Sequence, residues 1–155
     1  MDVTPEGWTS WGSNMIDKKT EIDIKSVKEF LEFWSKFHSI YNSAISMEAI
    51  SKEDEDKFLQ TKEAIRTKYV ETKGSLDFNY MPHSRLTDPV DDVLLINGIR
   101  FISEKNLKKL NEDWRDSYIF LNSIMERLKT RKKRFEQFSP IGVFVKRFFE
   151  RKGEV

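Results

Sequence analysis

The stretch from Ser103 to Phe138 constrains this chain most. Leu107, Trp114, Leu121, Leu128 and Phe135 recur at every seventh position, and Leu110, Tyr118, Ile124, Met125 and Phe138 fill most of the turns between them. Lys, Glu, Asp and Asn take most of the other positions, and no Pro or Gly interrupts the run. Such a pattern is that of a single long amphipathic helix. At 1.5 Å per residue it extends roughly 50 Å, more than the width of a small domain. It can hide its apolar stripe only if other helices lie along it. The expected fold is therefore all-α: an antiparallel bundle of three to four main helices, with a spine of about 35 residues and a short C-terminal amphipathic helix.

Composition agrees. A chain of 155 residues suits one domain and buries a core without staples. Only 6 Gly and 4 Pro disfavour turn-rich sandwiches and barrels, and the 12 Phe and 4 Trp supply bulky core material. The absence of Cys excludes disulfides, thiolate zinc sites and thiol catalysis. No apolar run is long enough to span a bilayer, and the first residues do not resemble a signal peptide. A cytoplasmic protein is the expectation.

Residues 1–20 read as an irregular N-terminal arm, broken by Pro5, Gly7 and Gly12, ahead of a single helical domain over 21–155. Trp8 and Trp11 sit in that arm and serve as candidate anchors, either docked on the bundle or held out as a linear motif for a partner's groove. Helices are expected at about 24–47, 52–72, 89–101, 103–138 and 140–152. In the first, Phe33 and Ile40 widen the stripe made by Val27, Phe30, Trp34, Phe37 and Tyr41, which suggests contact on two sides. The second opens on Ser51 with Asp54 three residues on, resembling a capping box, and Gly74 reads as its stop. Its inward set is Phe58, Leu59, Ile65, Tyr69 and Val70. Residues 75–88 form a loop whose Leu76, Phe78, Tyr80 and Met81 suit packing over one end of the bundle. Asp88 followed by Pro89 is a helix start, as is Ser139 followed by Pro140.

Little in the chain suggests catalysis. Of the two His, neither His38 nor His83 has a Glu three residues before it, so the paired Glu-x-x-His ligands of di-metal bundles are absent. His38 reads as a boundary histidine. Asp88, Asp91 and Asp92 form a compact carboxylate group, but helix capping and the helix dipole account for all three without a metal. No phosphate-binding glycine loop or nucleophile elbow occurs. No metal, cofactor or small-molecule substrate is expected, and the chain is read as a non-enzyme.

Charge is the uneven feature. From Arg127 to Val155 ten Lys/Arg face three Glu, a local +7; with +1 overall, the rest of the chain carries −6. Arg131, Lys132, Lys133 and Arg134 form a basic run at the end of the long helix. Beyond it Phe144, Phe148 and Phe149 share a helical face with Ile141 and Val145, while Lys146 and Arg147 lie opposite. These residues are the candidate contact set, for a protein partner or, alternatively, an anionic membrane surface. Nucleic acid is not expected, because no aromatic platform accompanies the basic residues. The reading is a non-catalytic interaction or scaffold protein acting through a helix face or by self-association. A spine that outran its neighbours would offer Arg127–Phe138 as contact surface, with Leu128 and Phe135 in need of cover.

Overall fold

The computed structural model describes residues 8–76 and 88–138, with side chains over 18–76 and 88–137. These residues form four helices and no strand: α1 (Trp8–Ile45), α2 (Lys52–Ser75), α3 (Pro89–Leu94) and α4 (Glu104–Phe138). The protein is an all-α bundle with two long helices, α1 of 38 residues and α4 of 35.

Local chemistry sets the helix boundaries. The Ser51 hydroxyl accepts the Asp54 amide at 3.0 Å, and Glu53, Asp54 and Glu55 place negative charge in the first turn of α2. Asp88 caps α3 by accepting the Val90 amide at 3.0 Å, with Pro89 just inside. Ser103 caps α4 through the Asn106 amide at 3.2 Å. Gly74 does not stop α2: it lies inside the last turn, no glycine among the described residues has a positive φ, and the chain turns out at Leu76.

Helix α1 packs against both α2 and α4, and α3 packs against α4. Its antiparallel register with α4 is fixed by side chains. Trp34 donates to Ser117 at 2.8 Å, Tyr41 to Asn111 at 3.1 Å, and Lys132 pairs with Glu21 at 3.0 Å. Helix α1 thus stands between α2 and α4, and the segment 88–102 closes the fourth side. Trp34, Trp114, Tyr41, Phe30, Phe37 and Phe58 are fully buried at the centre. The Trp34 and Trp114 rings lie 4.5 Å apart.

Several expectations are corrected. The α1 backbone is helical from Trp8, not from about 24, so residues 8–20 are no irregular arm. One Gly costs a helix about 1 kcal/mol but does not forbid it, and nothing after Pro5 removes a backbone donor. Phe33, Ile40 and Val70 remain exposed. Val70 follows Tyr69 in sequence but sits 100° around the helix from it. The third helix ends at Leu94, not near 101, because residues 96–100 bond to side chains of α2. Finally, α4 does not outrun α1. Leu128 is fully covered and Phe135 half-buried, so neither waits for a partner.

Candidate functional site

One face of α2 is polar yet points inward, onto the segment 88–100. Tyr69 donates to Asp88 at 2.5 Å, and Lys73 reaches the same carboxylate at 3.0 Å and Asp91 at 3.4 Å. Arg66 donates to the Leu94 carbonyl at 2.7 Å, and Lys62 to the Ile96 carbonyl at 2.8 Å. Glu55 completes the series by accepting the Ile99 and Arg100 amides at 3.0 and 2.8 Å. Spacings of seven, four, three and four residues keep these side chains on one side of a helix. The segment thus leaves helical geometry without losing its hydrogen bonds, which passed to α2.

Burial and Asp88 together raise the Tyr69 hydroxyl far above its usual range. Burial alone would lower Lys73, but its hydrogen bond and attraction to Asp88, reinforced by Asp91, outweigh that and leave it raised. Asp88 and Asp91 are therefore engaged with Lys73, and Asp88 also caps α3. Among the described residues no group of three or more His, Asp or Glu could hold a metal ion.

Where the segment crosses the start of α4 an open cleft of about 590 Å³ forms. Leu95, Ile96, Phe101, Ile102 and Leu110 give it an apolar lining, and Glu55, Asp92 and Asp113 supply three carboxylates against the single cation Lys109. Lys109 bonds Asp113 at 3.0 Å, and that bond and charge raise it above the usual ammonium range. Phe101 is 91% exposed and Leu95 66% exposed, the two most apolar features of the rim. The Arg100 guanidinium lies over the Phe101 ring, 5.2 Å from its centroid, and the ring otherwise faces water beside the cleft, the arrangement expected of a docking surface. Neither residue was singled out from the sequence. Phe101 follows Arg100 near the end of the short irregular stretch 95–103, where no periodicity reports which way a side chain faces.

The sequence-derived contact residues lie elsewhere. Arg131 stacks on the Phe135 ring at 5.6 Å, and Lys132 pairs with Glu21, so half of the basic run ties α4 to itself and to α1. Lys133 and Arg134 are exposed. The side chains of Trp8 and Trp11, the loop residues Phe78 to Arg85 with His83, and Phe144, Lys146, Arg147, Phe148 and Phe149 lie outside the described residues. His38 is half-buried against the rings of Trp114, Tyr41 and Tyr118, and burial holds its imidazole below the usual range.

No protein-family model, curated protein or solved structure matches the chain. No helix among the described residues is long and apolar enough to cross a membrane.

Proposed function

We propose that this is a non-catalytic interaction protein whose contact surface is the cleft between residues 95–102 and the first turns of α4. The exposure of Phe101 at its rim carries the reading. A chain of this size buries most of its aromatic rings, and an exposed Phe beside an apolar-lined cleft is a natural anchor for a partner. Two of the cleft's carboxylates are already committed: Glu55 holds the Ile99 and Arg100 amides, and Asp113 holds Lys109. Such groups suit charge complementarity with a partner better than proton transfer. The alternative reading, a basic Phe-rich segment 140–152 that seats on an anionic membrane, is supported by its sequence alone.

Replacing Phe101 by a photo-crosslinking benzoylphenylalanine in the producing cell tests the proposal. Irradiation is expected to yield discrete adducts with protein, absent when the probe stands at exposed Glu63 on α2. No adduct at Phe101, or the same adducts from both positions, would remove the cleft as contact surface.

A further inference from the structure

Resting on that reading of the cleft, we infer that its occupant is the basic, Phe-rich segment 140–152 of a second copy of this chain. Three observations converge. The first is charge: the cleft lining sets Glu55, Asp92 and Asp113 against Lys109, with Arg100 over the ring of Phe101 at the rim, while the segment carries Lys146, Arg147, Arg151 and Lys152 against Glu150. The sequence of the segment is thus opposite in sign to the cleft lining. The second is amphipathic pattern. The cleft lining combines five apolar side chains with three carboxylates, and the segment carries Ile141, Phe144 and Phe148 at helical spacing with Lys146 and Arg147 at positions off that stripe. Such a face-to-groove match is how amphipathic segments dock.

The third observation is reach. Asp113 and Phe138 lie on the same helix, 25 residues apart. That separation is about 38 Å along α4. Even fully extended, the chain from Phe138 covers at most ~22 Å by Phe144 and ~36 Å by Phe148. The two rings cannot both return to their own cleft. A neighbouring copy running antiparallel brings its cleft to that end of α4, and reciprocal exchange closes as a two-fold dimer.

Sedimentation of the full chain over a range of concentrations, at low and high salt, tests this. The expected result is a dimer that salt weakens. Asp113→Lys and Arg147→Glu should each raise the dissociation constant roughly 10-fold or more. The double variant, which restores opposite charges across the contact, should recover much of the loss. Phe101→Ser should also dissociate the dimer with its far-UV helical signal at about 25 °C unchanged. A wild-type chain that stays monomeric overturns the inference, as does an Arg147→Glu chain that dimerises like wild type. So does salt-sensitive flotation of a monomeric chain with phosphatidylserine vesicles that Arg147→Glu abolishes, which would give the segment to a membrane. A monomeric chain whose Phe101 probe still crosslinks to another protein overturns only the second-copy occupant; a monomeric chain with no adduct removes the cleft as well.

Discussion

Ser117 joins the two central tryptophans: its hydroxyl accepts the Trp34 indole N–H at 2.8 Å and donates to the Trp114 carbonyl at 2.6 Å. Ser117 is fully buried, so one small polar group serves a donor and an acceptor in an aromatic core. Ser117→Ala should cost about 1–3 kcal/mol, because the Trp34 N–H is left buried without a partner. Pairing it with Trp34→Phe, which deletes that donor, should cost less than the two single changes summed. Denaturant midpoints of the four chains check this.

The Asp88 carboxylate combines three tasks: it caps α3, accepts the Tyr69 hydroxyl and pairs with Lys73. Asp88→Ala is expected to destabilise by roughly 2–4 kcal/mol, and Tyr69→Phe by about 1–2 kcal/mol. The ion pair with Lys73 contributes little of this, since Lys73 is one-third exposed. Urea unfolding reports both values.

Gly98 is required by a side chain, not by its own dihedral angles. A Cβ there would come within 3.0 Å of a Glu55 carboxylate oxygen, and that oxygen is held by the Ile99 and Arg100 amides. Gly98→Ala should displace the carboxylate and cost about 1 kcal/mol. Faster hydrogen exchange at the Ile99 and Arg100 amides, with little change along α1, is the expected signature.

How far the sequence revealed this arrangement depends on which force positioned each residue. The seven-residue recurrence of Leu107, Trp114, Leu121 and Leu128 was readable because burial follows helical periodicity. Asp88–Pro89 was readable because capping is local. Glu55, Lys62 and Arg66 were not. Each looks like a solvent-facing charge until one knows that a non-helical segment lies across them with unpaired backbone groups. The cleft, built from that segment, was invisible for the same reason, and only its net acidity was foreshadowed by the −6 of the chain outside its basic end. The N-terminal boundary of α1 was misplaced because Gly12 and several Ser weaken a helix without ending it.

His38 gives the fold a pH dependence of known sign. Burial lowers its folded value below 6.5, the value expected in the unfolded chain. Between the two, the unfolded chain binds more protons, so stability rises with pH across that window and is lost as pH falls through it. The unfolding midpoint of wild type should decline more steeply below 6.5 than that of His38→Gln, and the two should run parallel above it. A proton NMR titration of the imidazole should show a midpoint under the usual histidine value.

The inward polar face of α2 also acts as a register key. Apolar contacts tolerate sliding, since a Leu displaced by one turn meets another Leu. A one-turn slip of α2 along residues 88–100 moves every donor about 5.4 Å from its acceptor. Lys62 would at best take Arg66's place at the Leu94 carbonyl, while Glu55 would lose the Ile99 and Arg100 amides and leave both donors without it. Of all the ways α2 could lie against that segment, one alone satisfies Glu55, Lys62, Arg66 and Tyr69 together, and the cleft exists only in that one.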